Sequence, residues 1–294
     1  MDALNEIEAV KDALKNAIEY ILTPSSEIFI VGAIIVLLLP ILVHFYISQS
    51  TPYTSLPSIL LVGPPGGGKT SLLTLLERGD TASATHTSQI PESIELTVSS
   101  DHGATTFREA ARIDAPGSHR KFLLVDTPGH GKLRYQHAMN QIASDTVRGL
   151  VYVLDAASLD DCLADTAGYL YDILLALQKR TGAGKTSKTP EAIHILLAAN
   201  KLDLFTALPA SLVKSNLEVE LGRIRQSRSK GLLDSGVGDD EVGSEEQDGW
   251  LGAFGSEKFT FGQMREFDIE VDIIGGSVLE GKVDKWWDWI SERI

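Results

Sequence analysis

The sequence predicts an α/β domain with a mainly parallel sheet flanked by helices, preceded by one N-terminal transmembrane helix. Two observations lead to this class. Short apolar runs suited to buried strands are each followed by a polar or glycine-rich loop, and helical stretches separate them. A longer apolar run, residues 28–47, precedes them all. The expected organisation is therefore an N-terminal segment at 1–27, the transmembrane helix, a linker at 48–57 and a folded domain at 58–294.

The transmembrane prediction rests on twenty consecutive residues, 28–47, without a side chain that is charged at neutral pH. At 1.5 Å per residue, a helix of this length matches the roughly 30 Å hydrocarbon core of a bilayer. A cleaved signal peptide would begin with a short basic region, whereas residues 1–27 are acidic. Within that acidic segment, apolar residues recur every three or four positions over residues 3–22, which predicts an amphipathic helix.

The net charge of −14 is unevenly distributed along the chain. Residues 1–27 carry −4 and residues 231–249 carry −7, which leaves −3 for the remainder. The acidic total argues against a protein that binds nucleic acid by neutralising its phosphates, so direct specific nucleic-acid binding is not expected. The second acidic run predicts a disordered insertion at about 231–256. The single cysteine, Cys162, excludes an internal disulfide framework and a cysteine-rich zinc site.

The first motif of the folded domain follows a short apolar strand and precedes a leucine-rich helix. It reads GPPGGGKT at residues 63–70, which fits G-x-x-x-x-G-K-[ST] in its required strand-loop-helix context. Backbone N–H groups of such a loop bind nucleotide phosphates, Lys69 would reach the β- and γ-phosphates, and Thr70 would bind Mg²⁺. The candidate nucleotide-binding residues in this motif are Gly63, Gly66, Gly67, Gly68, Lys69, Thr70 and Ser71.

The second motif ends another apolar strand, residues 121–126, and reads Asp-Thr-Pro-Gly-His from Asp126 to His130. An acid at the carboxyl end of a strand beside the phosphate loop can hold Mg²⁺ through water. Gly129 can offer its backbone N–H to a γ-phosphate. The two motifs in this order therefore predict a nucleoside triphosphate site with a bound magnesium ion.

The third motif selects the base. An apolar strand runs into Asn200-Lys201-Leu202-Asp203. A carboxylate can accept two hydrogen bonds from the N1–H and the exocyclic amine of guanine, whereas adenine would leave it unpaired. Asp203 should therefore select guanine, while Asn200 and Lys201 brace the base and the phosphate loop. Together the motifs predict a P-loop GTPase fold with GTP or GDP and Mg²⁺ as cofactors.

A final strand at residues 267–274 leads into a loop that reads GGSVLEG. At this place a GTPase supplies backbone N–H groups to the edge of the guanine base. We expect Ser277 and Val278 to have this role. The helix that follows carries three tryptophans in the run KWWDWI, residues 285–290, which are expected to pack against the domain.

Taken together, these residues resemble the family of signal recognition particle receptor beta subunits, which are membrane-anchored small GTPases of the endoplasmic reticulum. The resemblance rests on the N-terminal span, the phosphate loop, DTPGHGKLRY at 126–135, the AANKLD strand end, the acidic insertion and the tryptophan-rich helix. It implies that the GTP-bound form holds the N-terminal domain of the receptor alpha subunit during cotranslational targeting, near the ribosome and the translocon. The loop GGSV departs from the serine-alanine-lysine sequence of many relatives.

The resemblance also implies roles for residues of the two switch segments. Thr85 is the expected threonine that senses Mg²⁺ and the γ-phosphate, although Thr87 is equally within reach. His130 stands where Ras-like proteins have the glutamine that orients water, so intrinsic hydrolysis should be slow and should need a partner; alternatively, His130 only packs within switch two. Arg134 and Tyr135 are expected on the switch-two surface, either as partner contacts or as ordinary exposed residues.

The expected location is the endoplasmic reticulum membrane, with a single span, the GTPase domain in the cytosol and residues 1–27 in the lumen. Lys11 and Lys15 alone would weakly favour the opposite orientation. Two alternatives stay open: an ADP-ribosylation-factor-like trafficking GTPase, and a GTP-stabilised membrane scaffold without turnover. A helix at 209–230 has a basic end, interpreted as a solvated helix end or a ribosome-facing patch, formed by Arg223, Arg225, Arg228 and Lys230.

Overall fold

The computed structural model describes the chain in stretches separated by gaps. These are residues 11–12, 14–16, 26–50, 56–79, 84–99, 119–144, 146–183, 192–234, 250–252, 256 and 258–294. The chain divides into two compact units, Met1–Ser55 and Leu56–Ile294.

The first unit contains helix α1, Ser26–Ser50, which includes Pro40. Its described side chains are Ile30 and residues 32–44, and the large apolar ones among them are exposed. Within the stretches whose side chains are described, no helix is both long and apolar enough to cross a membrane. Of the amphipathic helix predicted at 3–22, the described residues 11–12 and 14–16 are helical, and the rest lies outside the described residues.

The described residues of the second unit form a six-stranded sheet. Its strands are β1 Ser58–Val62, β2 Glu92–Ser99, β3 His119–Asp126, β4 Val147–Asp155, β5 Ile193–Asn200 and β6 Ile269–Gly275. Their order in the sheet is β2-β3-β1-β4-β5-β6. All neighbouring strands pair in parallel except β2, which pairs antiparallel with β3. The prediction of a mainly parallel sheet is therefore confirmed, with β2 as an addition that the sequence interpretation lacked.

Helices cover both faces of this sheet, because the central strands are apolar on both sides and must be shielded from water. The helices are α2 Lys69–Arg78, α3 Gly131–Ile142, α4 Leu159–Ala183, α5 Ala210–Asp234 and α6 Asp284–Ser291, with a 3₁₀ helix at Phe261–Phe267. One apolar core lies between the sheet and α3, α4 and α5, and the other lies between the sheet and α2 and α6.

The tryptophans of α6 are buried in the second core, as expected of packing residues. Trp286 is the most enclosed of them, and its Nε1 donates a hydrogen bond to the carbonyl oxygen of Ile274 at 3.1 Å. Trp289 donates through Nε1 to Asp272 Oδ2 at 2.8 Å. Both indoles thus join α6 to β6, the strand that leads into the expected guanine loop.

The bounds expected for the acidic insertion, 231–256, are too wide at both ends. Helix α5 continues to Asp234, and Leu251 is fully buried in the core. At the C-terminal end of the expected insertion, the side chain of Gln178 of α4 donates to the carbonyl of Trp250 and accepts from the N–H of Gly252, each at 2.9 Å. Residues 235–249 lie outside the described residues.

The interpretation of the basic end of α5 as solvated is wrong for Arg225, which is 1% exposed. Its guanidinium group donates to the carbonyl oxygens of Leu251 at 3.1 Å and of Ser256 at 2.6 Å, and it stacks on the ring of Trp250. A charge is buried here because backbone oxygens and an aromatic face replace its water. Arg225 therefore fixes the chain where it returns from the insertion.

Candidate functional site

The carboxyl ends of the parallel strands meet at one edge of the sheet and bring the predicted motifs together. Leu61 of β1 pairs with Asp126 of β3, Asp155 of β4 pairs with Asn200 of β5, and Ala199 pairs with Gly275 of β6. In open α/β sheets this edge is where ligands bind. The phosphate loop, the DTPG segment, the NKLD motif and the GGSV loop all leave the sheet from this edge.

The phosphate loop needs its glycines because β4 lies directly behind it. A β carbon on Gly63 would lie 2.3 Å from the carbonyl oxygen of Val153, and one on Gly67 would lie 2.6 Å from the same atom. Gly68, the residue before α2, has φ of 99°, in the left-handed region that favours glycine. The loop therefore runs directly into the N-terminus of α2, and the N–H groups at such a terminus can bind an anion.

Lys69 is buried beneath this loop. Its ammonium group donates to the carbonyl oxygens of Gly63 at 2.9 Å and of Pro64 at 2.8 Å. Burial lowers the pKa of Lys69 to about 8, while the nearby Asp126 carboxylate acts in the opposite direction. A phosphate that enters the loop would therefore meet a cation that has already lost most of its hydration.

The candidate metal residues Thr70 and Asp126 are in direct contact. Thr70 Oγ1 donates to Asp126 Oδ2 at 2.5 Å, while Asp126 Oδ1 is buried without a hydrogen-bond partner among the described residues. Burial raises the pKa of Asp126 above its ordinary value. A partnerless carboxylate oxygen beside a hydroxyl suits a hard divalent cation with oxygen ligands. The described residues contain no cluster of three or more His, Cys, Asp or Glu.

A cleft of about 190 Å³ lies over the phosphate loop. The predicted residues that line it are Gly66, Gly68, Lys69, Thr70, Ser71, Thr85, Thr87 and Gly129. Thr85 Oγ1 lies 3.0 Å from Ser71 Oγ, and Thr87 borders the same cleft. Both threonines therefore stay candidates for sensing Mg²⁺.

Gly129 lies tightly against the phosphate loop. A β carbon there would be 2.6 Å from Lys69 Nζ and 2.8 Å from the carbonyl oxygen of Gly63. His130 follows at the N-terminus of α3, is exposed, and does not line the cleft. Its role in orienting water stays a prediction.

At the other end of the site, Asn200 joins the phosphate loop to the expected guanine loop. Its Nδ2 donates to the carbonyl oxygen of Gly67 at 2.8 Å, and its Oδ1 accepts from the N–H of Val278 at 3.0 Å. Asn200 and both hydrogen bonds are buried. Ser277 Oγ donates to Asp203 Oδ1 at 2.5 Å, which orients the carboxylate expected to recognise guanine.

The guanine loop is supported from behind by α6. A β carbon on Gly276 would lie 2.7 Å from the Trp286 ring and 2.7 Å from the carbonyl oxygen of Lys282. Only glycine allows this approach. The GGSV loop thus contains a glycine that the packing of Trp286 requires.

Sequence reasoning missed Asp155, at the carboxyl end of β4. Lys201 Nζ donates to Asp155 Oδ2 at 2.5 Å, and Asp155 Oδ1 accepts from the N–H of Ala157 at 2.9 Å. Burial opposes ionisation of this carboxyl group, but these hydrogen bonds hold the pKa of Asp155 below its ordinary value. The sequence did contain a signal for this residue: an acid at the carboxyl end of an apolar strand, at the same edge of the sheet as the motifs. Lys201, at φ of 65°, is held by this contact.

Comparison with known proteins identifies the family. The family model described as signal recognition particle receptor beta subunit matches residues 54–266. The chain belongs to this beta-subunit family. Signal recognition particle receptor subunit beta of Saccharomyces cerevisiae is 32% identical over 241 residues, which cover 81% of this chain and 84% of the yeast protein.

Two solved structures from Chaetomium thermophilum resemble this member of the beta-subunit family. The signal recognition particle receptor SRb-GTP/SRX complex has a TM-score of 0.69 and 41% identity, covering 81% of this chain and all of that one. The SRb-GDP-Mg structure has a TM-score of 0.60 and 43% identity, covering 83% and 100%. The beta-subunit fold therefore extends over most of the chain.

Proposed function

We propose that this chain binds GTP and GDP with Mg²⁺ and acts as the receptor beta subunit that holds the alpha subunit during cotranslational targeting. The contact that carries the proposal is Asn200, which fixes the phosphate loop at Gly67 and the guanine loop at Val278 with one amide. A nucleotide with its phosphates on the loop therefore has its base beside Asp203. The related SRb structures with GTP and with GDP and Mg support this reading.

The contacts described above support a separate role for each group of residues in the site. The loop N–H groups and Lys69 bind the phosphates, and Asp203 accepts the hydrogen bonds of guanine. Thr70 and either Thr85 or Thr87 would hold Mg²⁺, with Asp126 acting through water, and the bound ion would supply neutralisation of phosphate charge. The residues of this chain bind, orient and select the nucleotide.

The partner of the GTP-bound form is proposed to be the N-terminal domain of the receptor alpha subunit, in line with the related SRb-GTP/SRX complex. Residues 28–47 are proposed to anchor the chain in the endoplasmic reticulum membrane, with the GTPase domain in the cytosol and residues 1–27 in the lumen. The exposed apolar side chains of α1 support an anchoring role, because in water they would be costly. Ribosome and translocon are proposed as neighbours of the assembled receptor.

Calorimetric titration of the detergent-solubilised full chain tests nucleotide binding. GTP and GDP should bind, more tightly with Mg²⁺ than without, and ATP should bind at least about a hundredfold more weakly, since adenine leaves Asp203 unpaired. Asp203→Asn should lose guanine affinity and gain affinity for xanthosine diphosphate, whose oxygen at position 2 can accept from an amide. Equal affinity for ATP and GTP would defeat this assignment.

Copurification from solubilised membranes tests the receptor role. The receptor alpha subunit should be recovered with GTP and lost with GDP. Recovery of a vesicle coat or tether complex without the alpha subunit would instead support the trafficking alternative. The anchor is tested separately: the full chain should stay in membranes after carbonate extraction, and a chain starting at Leu56 should not.

A further inference from the structure

Arg134 of the switch-two helix α3 is buried, although the sequence suggested an exposed side chain. It donates to Asp165 of α4 with both terminal nitrogens, at 3.0 Å to Oδ1 and 3.2 Å to Oδ2. Its guanidinium carbon also lies 4.6 Å from the centre of the Tyr169 ring. A bidentate ion pair stacked on an aromatic ring fixes orientation as well as distance. The first turn of α3 is therefore fastened to α4.

Tyr135, the next residue, connects α3 to α4 a second time, through the carboxylate of Asp172, which also binds a residue of α5. Tyr135 Oη donates to Asp172 Oδ2 at 2.5 Å, and Arg228 of α5 donates to Asp172 Oδ1 at 2.8 Å. The guanidinium group of Arg228 also stacks on Tyr171, 4.4 Å from the ring centre. Each oxygen of Asp172 thus serves a different helix. This carboxylate joins α3, α4 and α5.

These contacts are relevant to the nucleotide site because α3 begins close to Gly129 in the chain. Helix α3 begins at Gly131, and Gly129 is so close to Lys69 and Gly63 that a β carbon would not fit. A shift of α3 is therefore expected to displace Gly129 relative to the phosphate loop. The N–H of Gly129 is the group expected to meet the γ-phosphate, which GTP has and GDP lacks.

We propose that Arg134 and Tyr135 are positioning residues that hold switch two where it receives the γ-phosphate, and that Asp172 couples this position to α5. The inference rests on the proposed binding of GTP. Arg134 is then buried away from a partner, whereas the Tyr135 ring stays exposed while its hydroxyl group is engaged. Helix α5 also carries Arg225, which holds the chain at Leu251.

The test compares two nucleotides on the full chain: GDP, and a GTP analogue with a non-hydrolysable β–γ bridge. Arg134→Met should weaken binding of the triphosphate at least about fivefold while the affinity for GDP changes less than about twofold. Arg134→Lys should recover part of the loss, because it restores the charge but not the bidentate geometry. The matched control is Arg223→Met, because Arg223 is exposed and pairs with Glu220 of its own helix.

The outcomes separate this proposal from the proposed function. Equal weakening of both nucleotides by Arg134→Met, or no change, would overturn the positioning role alone. Failure of the unmodified chain to bind either nucleotide would overturn the proposed function and the positioning role with it. If Arg134→Met does not fold, Tyr135→Phe removes only one hydroxyl group and should show the same selective loss.

A double-mutant cycle tests the coupling through Asp172. Tyr135→Phe and Arg228→Gln remove its two partners, which lie on different helices. Each should weaken triphosphate binding about threefold, and the double variant should lose no more than the larger single loss, because either change already breaks the same link between α3 and α5. Additive losses would contradict the shared role of Asp172. Arg223→Gln is the control for a charge removed from α5.

Discussion

Replacing Asn200 by alanine should disconnect the two halves of the nucleotide site. The variant loses two buried hydrogen bonds and leaves the carbonyl of Gly67 and the N–H of Val278 without their partner. A buried hydrogen bond contributes about 1 kcal/mol net, and an unsatisfied buried group costs about 1–3 kcal/mol. The expected loss in the free energy of unfolding is therefore about 2–4 kcal/mol. Since water can enter the site in part, the lower half of this range is expected without nucleotide.

Urea unfolding of the nucleotide-free protein measures this loss, and GDP affinity should fall in addition because the guanine loop is no longer held. Asn140→Ala is the matched control, since the Asn140 amide makes an exposed contact to Gln136 within α3 and should change stability by less than about 0.5 kcal/mol. Gly68→Ala should disrupt the same contact, because a β carbon at position 68 would lie 2.3 Å from Asn200 Nδ2. Wild-type stability and GDP affinity in Asn200→Ala would refute the bridging role.

Three further predictions concern other parts of the site and its support. The pKa of Lys69 is about 8 in the folded protein against an ordinary 10.5, so the unfolded chain binds the proton more tightly, and stability without nucleotide should rise by up to about 3 kcal/mol between pH 8 and pH 10.5. Urea midpoints of the wild type should show this slope and those of Lys69→Met should not; equal slopes would contradict it. In single-turnover assays, intrinsic GTP hydrolysis should be slow and His130→Ala should reduce only partner-stimulated turnover, whereas fast intrinsic hydrolysis that ignores the substitution would remove His130 from catalysis. Arg225→Met should lower thermal stability by about 2–4 kcal/mol by releasing the chain at Leu251 and Ser256, and Arg223→Met by less than about 0.5 kcal/mol; similar effects of both would argue against a clamp.

The central strands and their motifs were predictable because each motif directly follows an apolar strand. Parallel strands that end at one edge must bring Asp126, Asn200 and the phosphate loop together, whatever the connections between them. The amide of Asn200 then had to lie near the loop, although its two exact partners were not foreseeable. This part of the site depends on local sequence and on a rule of topology, and both can be inferred from a single sequence.

The parts that sequence reasoning missed depend on distant partners. Strand β2 alternates polar and apolar residues without a motif, and only its pairing with β3 makes it a strand. Arg134 and Arg225 look like surface residues because arginine usually is one, yet each is buried and hydrogen-bonded to groups at least 26 positions away. Asp155 likewise acquires its role from Lys201, 46 positions further along the chain.

Because Trp286 packs behind the guanine loop, its intrinsic fluorescence can report on the conformation of that loop. The indole ring touches Gly276 closely enough to exclude a β carbon, and Trp286 is 1% exposed. Any displacement of the loop on base binding must therefore alter the surroundings of a fully enclosed fluorophore. Nucleotide exchange should be visible as a change in intrinsic emission without a labelled nucleotide, and Trp286→Phe should abolish most of that change.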